Sequence, residues 1–281
     1  MDRSNLTIIL NSFHSFHHLK RITNKLSSEK FIIVENSNDR KVLNFFRKKK
    51  NIKVIMPKKN LGYGAGNNLG ILHSKNQYCL VLNPDTELTI KNVKILKNKI
   101  FQIKNFGILL PRLKNKISIN AFKNTIKSFI SIDEKCIGKH YASGCCLLIN
   151  KKKFKKKIFD ENIFLYKEET DLIKRTTEKK IKCFLLKDCY VTHFGSSSHK
   201  NSLNIEAELF RNWHWMWSNF YYYKKHYGYI YSFLKFIFIL TKSFIRKNLS
   251  LKKEQKLIYK SRFEGLKSSM NNEKSWYRMK I

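Results

Sequence analysis

The chain has 281 residues, 42% of them hydrophobic, which is enough to fill the core of one sizeable domain plus an appendage and too many for a disordered chain. Lys and Arg number 57 against 20 Asp and Glu, a formal charge of +37, so the surface attracts polyanions such as nucleic acid, anionic lipid or a phosphorylated substrate. The charge does not choose among these, and the abundance of Lys, Asn, Ile and Phe is equally what an AT-rich coding sequence produces.

Cys79, Cys136, Cys145, Cys146, Cys183 and Cys189 show no C-x-x-C spacing and several lie in apolar runs. They read as reduced, buried thiols of a cytosolic protein, against a disulfide frame or a zinc site. Met1-Asp2-Arg3-Ser4 leads straight into a strand-like run with no signal-peptide core, so export is not expected.

In chain order, residues 6–10, 31–35, 52–56, 78–82 and 106–110 are short β-type runs separated by segments long enough for crossover helices. This rhythm predicts an α/β fold with a mainly parallel sheet covered on both faces. Residues 141–149 predict another buried strand, 168–180 a helix, and 183–193 one or two more strands. After about Asn201 the pattern becomes continuous aromatic and basic helix, so a domain of residues 1–201 and an extension of 202–281 are expected.

Four turns carry candidate chemistry. Val81-Leu82-Asn83-Pro84-Asp85-Thr86 ends an apolar run at an acidic turn. A carboxylate at the carboxyl end of a buried strand lies where open α/β sheets bind ligands, and it suits a divalent cation held against a diphosphate. Asn-Pro-Asp is also a good plain turn. Glu35-Asn36-Ser37 follows the second strand and offers acceptors and donors to a nucleobase or ribose. Asn60-Leu61-Gly62-Tyr63-Gly64-Ala65-Gly66-Asn67-Asn68 follows the third strand and precedes a helix expected from about Asn67. It reads as a phosphate cradle or a flexible turn, and its spacing is not the dinucleotide fingerprint. Glu168, Glu169 and Asp171 concentrate negative charge at a helix start, where they either serve the macrodipole or supply a general base. His193 ends a strand and is a packed histidine or, beside Asp85, a metal ligand.

Six segments now stand in a familiar order: Ile33-Val34-Glu35-Asn36-Ser37, Asn60-Leu61-Gly62-Tyr63-Gly64, Leu82-Asn83-Pro84-Asp85, Ser143-Gly144, Phe159-Asp160-Glu161 through Glu169-Thr170-Asp171-Leu172, and His193-Phe194-Gly195. From Leu6 to about Ser198 the chain resembles the inverting GT-A glycosyltransferases of family two, most closely their rhamnosyltransferase-like branch. The resemblance implies a nucleoside diphosphate sugar donor, on a thymidine or uridine nucleotide, with Glu35, Asn36, Asn60, Gly62, Gly64, Asn83 and Asp85 as its contacts. It implies Mg²⁺ or Mn²⁺ on Asp85 and His193, and a base among Glu169, Glu168 and Asp171, with Glu169 first. The acceptor it implies is a saccharide or polyprenyl-linked saccharide, in cell-surface polysaccharide synthesis on the inner face of the cell membrane. Asn83 replaces the first acid of a D-x-D motif, Glu35 replaces the usual Asp, Ser12-Phe13-His14-Ser15 replaces a Thr-Tyr-Asn-type turn, and Lys157-Ile158 precedes Phe159 where glycine is common.

Beyond the match, Trp213, Trp215, Trp217, Phe220, Tyr221, Tyr222, Tyr223 and Tyr227 are interleaved with Arg211, Lys224, Lys225 and His226. Next, Phe233, Phe236, Ile237, Leu240 and Phe244 form a helical stripe with Lys235, Lys242 and Arg246 on another side. This reads as an interfacial helix on an anionic membrane surface, as a stripe packed on the catalytic domain, or as a nucleic-acid surface. A non-catalytic nucleic-acid-binding protein is the rival class, and a degenerate transferase that only binds nucleotide a third. The ordered acids favour the enzyme and no nucleic-acid partner, because they would repel a phosphate backbone.

Overall fold

The computed structural model describes residues 6–114, 129–132, 144–194, 205–275 and 277. Cys136, residues 141–143 of the expected strand, Gly195 and the boundary expected at 201 lie outside them. The chain divides into two compact units, one of residues 1–160 with 169–200, the other of 161–168 with 201–281. The sequence reading keeps 161–168 with the first domain, whereas here that segment clusters with the C-terminal helices.

The first unit is built on strands β1 (Leu6–Ser12), β2 (Phe31–Glu35), β3 (Ile52–Ile55), β4 (Tyr78–Leu82), β5 (Thr86–Glu87), β6 (Phe106–Leu113), β7 (Phe129–Ser131), β8 (Cys146–Asn150) and β9 (Lys182–His193). They form one sheet in the order β3-β2-β1-β4-β8-β6-β9-β5, with β7 paired to β9. Helices α1 (Phe16–Lys25), α2 (Arg40–Phe46), α3 (Gly62–His73), α4 (Ile90–Gln102) and α5 (Glu168–Glu178) connect or cover it. The run β3-β2-β1-β4 is parallel, as the alternating pattern predicts. Beyond it the sheet is mixed, because β8 runs antiparallel to both β4 and β6 while β9 is parallel to β6.

Continuous apolar runs form these strands because both faces are covered. Ile8, Leu10, Phe31, Ile33, Leu80 and Leu82 enter one core, and their neighbours Ile9, Ile32, Val34, Cys79 and Val81 enter the other. After β1 the chain steps through β2 to β3 on one side, then returns to lay β4 on the other side of β1. That reversal makes the carboxyl ends of β1 and β4 a topological switch point, the place where open sheets of this kind hold ligands.

The cysteines Cys79, Cys145, Cys146, Cys183 and Cys189 are buried and form no disulfide among the described residues. Burial pushes the Cys183 thiol up to about 11 and the Cys189 thiol to about 12, so both stay protonated and inert at neutral pH. Alkylation of the native protein is therefore expected to leave these five unlabelled until denaturant is added, as mass spectrometry of labelled peptides can check.

The second unit contains α6 (Ile205–Tyr227), α7 (Tyr229–Leu249) and α8 (Lys253–Met270). Continuous helix is expected after 201, but Gly228, at φ 89°, ends α6 and turns the chain back. Met216, Phe220, Phe236 and Leu266 form its core, with Tyr223, Leu240 and Met270 packed against it. Trp213, Trp217, Phe220 and Tyr222 are buried, so half of the aromatic crowd on α6 is interior and those four rings cannot serve as membrane anchors or base-stacking rings, while Trp215 and Tyr227 are exposed. Gly265 is where α8 meets the α6 backbone: a Cβ there would lie 2.3 Å from the Trp213 carbonyl oxygen. Gly265→Ala gains about 1 kcal/mol of helix propensity, but the clash is with backbone, and overpacking of this kind costs about 1–3 kcal/mol. A net fall in melting temperature is expected; a rise would mean the two helices separate freely.

Candidate active site

The carboxyl ends of β1 and β2 form one wall. Ser12 and Glu35 are register partners there, and both are fully buried. Glu35 Oε1 accepts from the Ser37 amide at 2.8 Å and from the Ser37 hydroxyl. Glu35 Oε2 and Ser12 Oγ have no hydrogen-bond partner among the described residues, although buried acceptors of this kind are nearly always satisfied. They are where a ribose or base could bind.

Asn11, which the sequence reading passed over, ties this wall to α3. Its Nδ2 donates to the carbonyls of Gly62 (2.9 Å) and Tyr63 (3.1 Å), and its Oδ1 accepts from Asn36 Nδ2. Asn36 Oδ1 accepts from Leu61 N at 3.1 Å, and Asn60 Oδ1 from Gly62 N at 2.9 Å. Asn36 and Asn60 are named as nucleotide contacts by the resemblance, but these bonds engage them in holding the loop.

The glycine-rich segment, read as a phosphate cradle or a flexible turn before a helix from about Asn67, is helical from further upstream. Helix α3 starts at Gly62, whose φ of 76° only glycine adopts readily. Gly64 is buried within its first turn. Gly66 and Gly70 serve packing: a Cβ would meet the Asn11 side chain at 2.6 Å or Ile9 Cγ2 at 2.4 Å.

The opposite wall starts at the end of β4. Asn83 N donates to Cys145 O at 2.8 Å, and Thr86 N to Asn83 O at 3.0 Å, closing the turn that carries Asp85. The short β5 pairs Thr86 with His193 of β9, and Phe194 N donates to Asp85 O at 3.0 Å. This ribbon sets His193 Nε2 3.2 Å from Asp85 Oδ1. Burial works to raise the Asp85 pKa, but the hydrogen bond and charge of His193, with a smaller contribution from the charge of His18, outweigh it and hold the carboxyl below its ordinary value. Asp85 is thus ionised at neutral pH. His18, in α1, approaches Asp85 only through the fold; no local pattern in the sequence marks it. Arg21, one turn later, lies over the Phe194 ring at 4.9 Å.

Among the described residues no group of three or more His, Cys, Asp or Glu converges as a metal cage. An ionised carboxylate beside an imidazole fits instead a site in which the protein gives one or two donors and substrate phosphates give others, the habit of Mg²⁺, with Mn²⁺ more tolerant of nitrogen.

The carboxylates of α5 separate by burial. Asp171 is fully buried and accepts from Arg175 Nε at 2.7 Å, while Arg175 also donates to Ile158 O at 2.7 Å. This pairing engages Asp171, named with Glu169 and Glu168 as a candidate base, in locking α5 to the segment before Phe159. Glu168 is 3% exposed and Glu169 is partly exposed, so Glu169 is the more accessible of the two. A Cβ on Gly144 would lie 3.3 Å from both Cβ and Cδ of Glu169, so the glycine gives the carboxylate its room. Tyr63 Oη donates to Gly144 O at 2.5 Å, which joins the glycine-rich turn to this acid. Ser143, named beside Gly144 in the motif, lies outside the described residues. Immediately before α5, Tyr166 (φ 69°) and Lys167 (φ 73°) adopt the left-handed conformation that non-glycine residues rarely hold. Tyr166 packs edge-on to Trp215 at 5.3 Å, and the Lys167 ammonium lies over the Tyr222 ring at 5.5 Å. Such strain persists where neighbours enforce it and clusters at functional sites.

Comparison with known proteins identifies the family and the fold. The low-salt glycan biosynthesis hexosyltransferase Agl10 of Haloferax volcanii is 28% identical over 194 residues, 63% of this chain. The match spans 62% of that relative's length. The crystal structure of S. aureus TarS 1-349 in complex with UDP-GlcNAc superposes with a TM-score of 0.52 at 14% identity, covering 98% of this chain and 94% of that one. GalNAc-T7 with UDP, GalNAc and Mn²⁺ gives 0.55 at 11% identity, covering 95% and 56%. At these identities the two structures establish the GT-A-like fold alone. Residues 8–157 match the model for Glycosyl transferase family 2. This chain belongs to glycosyl transferase family 2.

Proposed function

We propose that the protein transfers a hexose, rhamnose or a similar sugar, from a nucleoside diphosphate to a saccharide or polyprenyl-linked saccharide acceptor, with inversion at the anomeric carbon. The observation that carries this reading is the bond from Asn83 N to Cys145 O, beside Gly144: it puts the Asp85 turn and the Glu169 acid at one edge of the sheet. The relatives whose names mention a hexosyltransferase and UDP-GlcNAc support the donor class.

Glu169 accepts the proton of the acceptor hydroxyl as the new bond to the anomeric carbon forms, and the diphosphate leaves with the electrons of the broken C–O bond. Ser12 and Glu35 orient the nucleoside. Asp85 and His193 would hold a divalent cation, which when bound neutralises charge developing on the leaving group. Arg21 brings positive charge to the same end of the sheet, whereas burial and the Arg21 guanidinium hold the pKa of His18 below its ordinary value, which keeps it mostly uncharged at neutral pH. A lipid-linked acceptor places the work at an anionic membrane surface, for which the charge of +37 is suited.

A thermal-shift panel of uridine and thymidine diphosphate sugars, with and without Mn²⁺, tests the donor class. At least one of them is expected to raise the melting temperature in the presence of Mn²⁺. Stabilisation by single-stranded nucleic acid, with none by any nucleotide sugar, would return the reading to the rival class.

A further inference from the structure

Helix α7 carries two apolar faces, and only one is packed. Phe236 is buried in the core of the second unit and Leu240 packs against it. Phe244 rests near Phe263 of α8, with ring centroids 5.7 Å apart. Of the stripe expected to face a membrane, Phe236 is therefore turned inward with Leu240 packed beside it, while Phe244 stays 51% exposed. Ile230, Leu234, Phe238, Ile245 and Leu249 instead point outward, with exposures of 76, 63, 81, 53 and 74%. Their spacing of four, four, seven and four residues keeps them on one side of an α-helix. Thr241 completes the row, and its hydroxyl donates to Ile237 O at 2.8 Å, so even this position offers its methyl group. The stripe runs about 28 Å at 1.5 Å per residue, and Leu251, fully exposed, extends it.

The polar complement of this helix has one sign. Its charged residues are Lys235, Lys242, Arg246 and Lys247, with no carboxylate. Lys235, Lys242 and Arg246, spaced seven and four apart, border the stripe on one flank. A row of apolar side chains this exposed marks an interaction surface. A second copy of the chain fits it poorly, because a two-fold pairing would set these cations against one another with no acid on the helix to answer them. No helix among the described residues is long and apolar enough to cross a membrane. A helix lying in the headgroup plane is satisfied on both counts: the stripe enters the acyl boundary while Lys and Arg stems run along it and their charges meet lipid phosphates.

We propose that the outer face of α7, through Ile230, Leu234, Phe238, Ile245 and Leu249 with Lys235, Lys242 and Arg246 beside them, is the surface that docks on an anionic lipid leaflet. The proposal rests on the reading that the enzyme works at a membrane, and it names the face that makes contact.

Sedimentation of the full chain with phosphatidylcholine vesicles, with and without phosphatidylglycerol, tests it. The wild type is expected to bind the anionic vesicles, less so as salt rises. The double substitution Leu234→Ser with Phe238→Ser removes two exposed side chains and is expected to weaken binding by about tenfold or more, while Leu72→Ser, an equally exposed leucine on α3, leaves it unchanged. Melting temperature and its shift with a nucleotide sugar serve as the check that each variant is folded. Full binding by the folded double variant would overturn the assignment of this face and leave the membrane reading standing. No vesicle binding by a wild type that still responds to nucleotide sugar would overturn both. Concentration-dependent dimerisation that the double variant abolishes would make a second copy the occupant and overturn the proposal.

Discussion

Glu169→Gln is expected to lower the rate of sugar transfer by about 10²–10⁴-fold, the range a positioned general base contributes, while nucleotide binding is retained. The substitution keeps the shape that fits over Gly144, where a Cβ would come within 3.3 Å of the side chain, and removes only the proton acceptor. The effect should therefore fall on kcat. Glu168→Gln, at a position 3% exposed, is expected to act mainly on stability, and Asp171→Asn to lower stability by breaking the buried pair with Arg175. Near-normal turnover in Glu169→Gln with collapse in a folded Glu168→Gln would move the base by one residue.

Asp85→Ala is expected to abolish the divalent-dependent part of nucleotide binding. Asp85 is the carboxylate of the pair with His193, and that pairing further favours its ionised form. The remaining imidazole is a weak site for a hard cation, which prefers oxygen donors. Thermal shifts with uridine diphosphate and Mn²⁺ measure this: the wild type should respond to the combination and the variant should not. An identical metal-dependent shift in Asp85→Ala would remove the residue from its role.

Much of this was legible because both faces of the sheet are buried. An apolar run such as Tyr78 to Leu82 has one reading when every side chain must find a core, and the turn that ends it must carry the polar groups. Asp85 and Glu35 were visible for that reason. The direction of β8 was not, since its antiparallel course depends on how the chain returns from β6, which no local pattern records. Glu168, Glu169 and Asp171 look alike as first-turn acids; what distinguishes them is Arg175 waiting one turn on for Asp171 and Gly144 leaving space for Glu169. Asn36 and Asn60 have the polarity of ligand contacts, but their partners Leu61 and Gly62 are backbone amides of the same turn. On α7, apolar residues occupy more than one face, so the stripe that packs could be told from the stripe that does not only once α6 and α8 were in place.

The central claim is single displacement on a nucleoside diphosphate sugar with Glu169 as base. Its most direct measurement follows nucleoside diphosphate release and the anomeric configuration of the transferred sugar by NMR, for the wild type and Glu169→Gln side by side in Mn²⁺. The account predicts consumption of a nucleotide sugar by the wild type alone, with the product anomer opposite to the donor's. Retained configuration, or equal rates for the two proteins, would contradict it.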